Sequence, residues 1–242
     1  IREFLYFIKG FFISKKNYNY KNFIKNGYII VNQFLSNIEV DELKNTLEQE
    51  LINKKNKIIK DDEQSDLRIY GVDKINKKFE NIINNKVNKF IKINFGYSFD
   101  NGFLMANKLI YKKNNLGSGQ GWHRDSEPKD QYKCLIYLDD VSNNNGPFQY
   151  IQKTHSPLSF INLFFYKKIR YYQYRFNQTE IDNIISNNMK CITFNEKKGT
   201  AIFFNSRGIH RGMPISKGIR YACTSYYFDN NVPQHLKEVL NE

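Results

Sequence analysis

The chain has 242 residues, of which 40% are apolar and 16% aromatic; this is enough for a sizeable core and rules out the disordered class. Lys and Arg number 37 against 24 Asp and Glu, a formal charge of +13, but the basic residues are scattered in short clusters such as NKKNK (53–57) and YKK (111–113). That scatter argues against a nucleic-acid partner and leaves a surface that favours anionic small molecules over cationic ones.

Taken in chain order, the opening IREFLYFIKGFF (1–12) is apolar, but Arg2, Glu3 and Lys9 interrupt it. It is shorter than the ~20 residues that cross a bilayer, and no small-residue cleavage pattern follows. It is expected to be a packed or interfacial segment, with no membrane span. Gly27 then marks a turn into a strand, YIIV (28–31). Ser36 and Glu39 form an S-x-x-E capping box, and Ile38, Leu43, Leu47 and Leu51 recur near helical spacing, which predicts a helix from about 37 to 52. The stretch 77–96 repeats the helical pattern through Phe79, Ile82, Ile83, Val87, Phe90 and Ile91, with Gly96 as its stop.

After residue 100 the texture turns to strands. FLMANKLIYKK (103–113), KCLIYLDD (133–140), PFQYIQ (147–152), TAIFFN (200–205) and IRYACTSYYF (219–228) are β-branched and aromatic, bounded by Gly, Asn, Asp or Pro. NNNGP (143–147) and SKG (216–218) are turns. The segment 156–198 interrupts the series: its aromatic, basic LFFYKKIRYYQYRF precedes a predicted helix, TEIDNIISNN, with Thr179 as N-cap. The aromatic stretch reads as a helix packed on the barrel, with a lid contacting an anionic substrate as the rival reading. No internal repeat occurs. The expectation is one domain over 1–242, mainly β with flanking helices (α+β): 1–100 mostly helical, and a β-sandwich or barrel over 101–230 carrying a helical insertion at 156–198. The three cysteines, at 134, 191 and 223, are odd in number, widely spaced and without a CxxC. This argues against a disulfide framework and a zinc ribbon, and points to a reducing, cytoplasmic setting.

The chain has four histidines, and one of them stands in GWHRD. Residues i and i+2 of a strand share a face, so His123 and Asp125 offer an imidazole nitrogen and a carboxylate oxygen to one point. That is two-thirds of the 2-His-1-carboxylate triad that holds non-haem Fe(II) and leaves positions open. An H-x-D pair alone is more often a surface or capping pair. The third ligand has to come from a distant segment, and the candidates are His155 in a loop, His235 on a C-terminal helix surface, and His210 after a strand. His210 is followed ten positions later by Arg220, one or two residues into the returning strand. An arginine there would place a cation beside the metal, where the far carboxylate of a chelated 2-oxo acid needs a bidentate partner. Arg220 is expected to point inward with Ala222, Thr224 and Tyr226.

GWHRD, NNNGPFQYIQKTHSP and GIHRGMPISKGIRYACTSYYF, in this order and preceded by NGYIIVNQFLSNIEVDELKNTL, resemble the phytanoyl-CoA dioxygenase family of Fe(II)/2-oxoglutarate oxygenases over roughly residues 24 to 230. The resemblance implies a double-stranded β-helix core, a jelly roll related to the cupins. It implies iron on His123, Asp125 and His210, 2-oxoglutarate on Arg220, and a cosubstrate pocket lined by Met105 and Asn107, with Tyr137 as a further contact. It also implies the reaction: O2 and 2-oxoglutarate are consumed, succinate and CO2 released, and a C–H bond of a small-molecule substrate hydroxylated. A sugar or an anionic biosynthetic intermediate is the favoured substrate. The alternatives are the same chemistry on a protein or nucleic acid, and a cupin-like binding protein without turnover. This chain departs from the family at QKTH, where relatives often read Pro-Gly-Ser-His, and at Ala222, where a hydroxyl residue is common. Trp122, the only tryptophan, divides evenly between core packing and the substrate mouth.

Overall fold

The computed structural model describes residues 18–96, 101–125, 131–156, 161, 163–165, 169–170, 173–185, 189–228 and 231–240. The apolar segment 1–12 lies outside them. Helix α1 (Tyr18–Asn26) runs into β1 (Tyr28–Val31) through Gly27 at φ +86°, where a side chain would collide with the Tyr150 hydroxyl and the His155 ring. Helix α2 (Asn37–Ile52) starts with the expected capping box: Ser36 Oγ accepts from the Glu39 N–H at 3.3 Å, and the Glu39 carboxylate accepts from the Ser36 N–H at 2.9 Å. Its buried stripe is Val40, Leu43, Thr46 and Leu47; Ile38, counted toward the core by periodicity, is exposed in the first turn.

Two strands follow that the sequence reading missed, β2 (Ile59–Lys60) and β3 (Asp66–Tyr70), and then the short helix α3 (Val72–Ile75). The long helix α4 begins at Lys77–Phe79, passes through a π turn at Glu80–Asn84 and ends as Asn85–Phe95 against Gly96, which adopts φ +75°. Phe79, Ile83, Val87, Ile91 and Phe95 are all buried. A strict spacing of four drifts by about 40° per step on a 3.6-residue helix; the wider π turn takes up part of that drift.

The remaining elements are β4 (Asn101–Ile110), β5 (Gln131–Tyr137), β6 (Phe148–Ile151), α5 (Gln178–Ile185), β7 (Cys191–Phe194), β8 (Ala201–Asn205), β9 (His210–Gly212), β10 (Ile219–Phe228) and α6 (Gln234–Leu240). Strand β7 falls inside the segment expected to be a helical insertion: Cys191–Phe194 pairs with β6. The cap of α5 is Asn177 rather than Thr179, because Asn177 Oδ1 accepts from the Glu180 N–H at 2.9 Å while Glu180 returns a bond to the Asn177 N–H at 2.8 Å.

The strands form a double-stranded β-helix of two antiparallel sheets, a large one in the order β1-β8-β5-β10-β4-β3-β2 and a small one in the order β7-β6-β9. Leu135, Tyr137, Ile202, Phe204 and Ala222 of the large sheet pack on Phe148, Tyr150 and Phe194 of the small one. The outer face of the large sheet, through Cys134, Ile136, Phe203, Cys223 and Tyr227, is covered by α1, α2 and α4. Its inner face is ordered by register. Arg68, Asn107, Ala222 and Tyr137 form one row, and Tyr70, Met105, Thr224 and Leu135 the next. Phe103, Tyr226, Lys133 and Phe204 form a third row. No described helix is long and apolar enough to cross a membrane.

Candidate active site

The inner rows and the edge of the small sheet surround a cavity of about 460 Å³. His123 and His210 exchange both backbone hydrogen bonds, at 2.9 and 2.8 Å, as an isolated antiparallel bridge. Directly opposed residues of such a pair project to the same face, and the two rings stand 4.4 Å apart. Two residues further on, the Asp125 N–H bonds to Ser206 O at 2.9 Å, which keeps the segment extended and turns the carboxylate to the same side. The H-x-D is thus held by one bridge and one further backbone bond, not within a continuous strand. One ligand atom from each of His123, Asp125 and His210 lies within 4.8 Å of the others.

The ring nitrogens are assigned by their neighbours. His123 Nδ1 lies 2.9 Å from Gly121 O, and His210 Nδ1 lies 2.7 Å from Gly208 O. A carbonyl can only accept, so each Nδ1 carries the proton and each Nε2 keeps a free lone pair, the arrangement typical of metal-ligating histidines. Gly119, at φ +83°, abuts His123; a Cβ there would come within 2.4 Å of the ring. Burial, with His123 next in weight, depresses the His210 pKa to about 3, and burial also lowers that of His123, so both imidazoles are neutral near neutral pH. Burial alone would raise the Asp125 pKa, but Lys133 and the two histidines hold it well below the usual carboxylate range. Lys133 Nζ sits 2.6 Å from Asp125 Oδ2. Two neutral imidazoles and an ionised carboxylate suit a divalent metal.

Arg220 lies in the wall of the same cavity and is 2% exposed. Its guanidinium donates to Gly146 O and stands over the Tyr137 ring at 5.8 Å, while its Nε has no hydrogen-bond partner among the described residues. A buried cation with an unused donor, facing a cavity, is suited to an anionic ligand group. Thr224 and Tyr226, in phase with it, line the cavity as expected, while Ala222 joins the apolar core between the sheets.

Met105 and Asn107 also line the cavity. Asn107 Nδ2 donates to Asp66 Oδ1 at 2.7 Å, and Asp66 Oδ2 accepts from Arg68 at 2.6 and 3.0 Å. Tyr137 does not belong to the lining. Its hydroxyl accepts from the Phe148 N–H at 2.7 Å and donates to Phe194 O at 3.2 Å, so its polar group is spent on joining β6 and β7. Of the other two histidines, His155 Nε2 is 3.0 Å from Ile24 O at the end of α1, whereas His235 is exposed at the cavity rim on α6. Trp122 is buried with Leu163, Ile169, Phe176 and Ile184 beneath an Arg211 guanidinium, which settles it as a core residue. The same cluster shows the insertion's apolar residues packing on the barrel. Arg175, from that insertion, nevertheless reaches the cavity lining and donates to Gly119 O and Gln120 O.

Sequence reasoning missed Arg68, Lys133 and Arg175. The inward phase of Lys133 was readable, since it alternates with Leu135 and Tyr137 in KCLIY. For Arg68 and Arg175 there was no signal, because β3 was not recognised and Arg175 sits in irregular chain.

Residues 23–222 match the phytanoyl-CoA dioxygenase (PhyH) family model. The chain belongs to this family of Fe(II)/2-oxoglutarate-dependent enzymes. Among solved structures, it is similar to the epimerase SnoN in complex with Fe3+, alpha ketoglutarate and nogalamycin RO, with 14% identity, a TM-score of 0.67, and 86% of this chain and 81% of that one covered. The carbocyclase SnoK from nogalamycin biosynthesis matches with 15% identity, a TM-score of 0.63 and coverage of 90% and 88%. HygX from Streptomyces hygroscopicus, with nickel, 2-oxoglutarate and hygromycin B bound, matches with 13% identity, a TM-score of 0.58 and coverage of 86% and 85%. These likenesses confirm the fold. No curated protein sequence matches the chain.

Proposed function

We propose that this protein is an Fe(II)- and 2-oxoglutarate-dependent dioxygenase that hydroxylates a C–H bond of a small polar metabolite, releasing succinate and CO2. The observation that carries this reading is the convergence of His123, Asp125 and His210, both Nε2 atoms free, on a cavity whose wall contains a buried arginine with a donor to spare. Iron, when bound, supplies the O2 chemistry that side chains lack.

The chain's own residues do the rest. The two imidazoles and the Asp125 carboxylate hold the ion. Arg220 binds the far carboxylate of 2-oxoglutarate, with Met105 and Asn107 beside it. Leu135, Phe148 and Phe204 give the cavity a dry wall. The rim carries Lys60, Arg175 and His235. Among the described residues, the carboxylate beside them, that of Asp61, is spent on the Ser65 and Asp66 N–H groups and the Ser65 hydroxyl. Such a rim favours an anionic or strongly polar substrate, a sugar derivative or biosynthetic intermediate, over a cation. A cavity of about 460 Å³ suits a small molecule, and SnoN and HygX, by their descriptions, bind nogalamycin RO and hygromycin B. Three free cysteines agree with a reducing, cytoplasmic location.

The test has two stages. Fe(II) and 2-oxoglutarate added without oxygen should produce a visible charge-transfer band, and its absence sinks the assignment. A metabolite screen for stimulated succinate release, read by mass, should then yield a product one oxygen heavier. A turnover product of unchanged mass would replace hydroxylation with an epimerisation on the same centre, and one lighter by a pair of hydrogens would replace it with an oxidative ring closure.

A further inference from the structure

Lys133 is the described cation that touches the candidate metal centre, and its position is costly. Register sets it opposite Tyr226 on β10 and Phe204 on β8. Its side chain is 8% exposed, with Nζ 2.6 Å from Asp125 Oδ2 and 4.4 Å from the Tyr226 ring centre. A buried ion pair seldom stabilises a fold more than apolar residues of the same volume would. A leucine or methionine at this position would pack in phase with Leu135 and Tyr137 but leave the Asp125 carboxylate without its cation, at a cost to the metal-free fold. An ammonium does not help to hold a divalent ion, because like charges repel at short range. What the lysine does is occupy one oxygen of a ligand. With Oδ2 in ion-pair contact with the ammonium, though without an aligned hydrogen bond, Asp125 has its other oxygen to offer alongside the two Nε2 atoms. Two imidazoles and one carboxylate oxygen would leave a bound ion more room for further ligands than a carboxylate ligating through both oxygens would.

We infer that Lys133 is a positioning residue: it restrains Asp125 to ligation through one oxygen, giving up some metal affinity to keep open the positions that 2-oxoglutarate and O2 require. This rests on the site reading of the preceding subsection. It predicts opposite changes in two affinities, which a purely structural role cannot produce.

The experiment uses the full chain loaded with Co(II), whose absorption reports coordination number, and measures Co(II) affinity first and 2-oxoglutarate affinity of the loaded protein second. In Lys133→Met, Co(II) binding should tighten by about tenfold or more as the repelling charge goes. Binding of 2-oxoglutarate should weaken by about tenfold or more, about 1.4 kcal/mol for each factor of ten, as the second carboxylate oxygen contests a position the cosubstrate needs. Lys133→Gln removes the charge but keeps a donor for Oδ2. It should bind Co(II) more tightly than wild type while retaining near wild-type affinity for 2-oxoglutarate, which separates geometry from charge even if the methionine variant folds poorly. Both affinities unchanged in Lys133→Met, or both falling together with the melting temperature, would overturn the inference while leaving the site reading intact. A wild-type protein that takes up neither Co(II) nor 2-oxoglutarate would overturn the site reading, and this inference with it.

Discussion

Replacing Arg220 by methionine separates binding from folding in a way that the geometry makes quantitative. The guanidinium is 2% exposed, bonded to Gly146 O, and has an Nε without a partner among the described residues. Hydrogen bonds to charged groups contribute about 1.5–3 kcal/mol each, so losing a two-pronged contact to the distal carboxylate should cost roughly 3–6 kcal/mol. At about 1.4 kcal/mol per tenfold, that is a loss of roughly 100- to 20,000-fold in affinity for 2-oxoglutarate. Stability should move the other way or hardly at all, because exchanging an incompletely paired buried cation for an apolar side chain is often neutral or stabilising. Anaerobic calorimetric titration of the metal-loaded protein measures the first quantity, and a thermal melt of the metal-free protein the second. A 2-oxo acid with no distal carboxylate is the internal control, since it should bind wild type and variant alike. An unchanged 2-oxoglutarate affinity, or a collapse in melting temperature with the affinity retained, would refute the assignment and make Arg220 a structural residue.

Three further outcomes follow from the same geometry. His123→Ala and Asp125→Ala should each abolish 2-oxoglutarate-dependent succinate formation. Only Asp125→Ala should also destabilise the metal-free fold, by about 3–5 kcal/mol, because it strands the Lys133 charge; equal melting temperatures for the two variants would contradict the pairing. The metal-free protein should lose stability on acidification. The His210 pKa is depressed to about 3 from an ordinary 6.5, and that of His123 is depressed too, so below pH 6.5 the unfolded chain binds the extra protons. Each histidine then removes up to about 1.4 kcal/mol per pH unit, and a melting temperature that stays level from pH 7 to pH 5 would count against neutral buried imidazoles. Gly119→Ala should weaken metal binding, because its methyl group has to enter the space of the His123 ring and its backbone lies at φ +83°. Wild-type metal affinity in that variant would show that the loop yields without moving the ligand.

What the sequence disclosed and what it hid divide along physical lines. Strands β4, β5, β6, β8 and β10 alternate apolar residues between Gly, Asn and Pro punctuation, and each was found within a few residues of its observed ends. The same alternation placed Arg220 inward before any fold was known. Strand β3 reads DLRIY: Asp66 and Arg68 share the inner face, Arg68 lines the cavity, and only Leu67 and Ile69 alternate with them, a period-2 run too short to stand out. Its stability comes largely from pairing with β4, which is not local; the Asp66–Arg68 contact within the strand adds to it. Tyr137 shows the limit of phase alone. It points inward as expected, but its hydroxyl ends on backbone atoms of β6 and β7, a destination that only the packing of the two sheets decides.

The order of the large sheet constrains how the polypeptide is assembled. Tyr28 of β1 pairs with Phe204 of β8, and β3 pairs with β4, which in turn lies beside β10 near the other end of the chain. At a synthesis rate of about 5–20 residues per second, β1 waits for roughly ten seconds or more before its partner leaves the ribosome. Contacts of such long range also slow folding itself. The amino-terminal region is therefore structural staves of the barrel and not a detachable appendage, so truncating it at a point after Val31 leaves β8 as an unprotected edge.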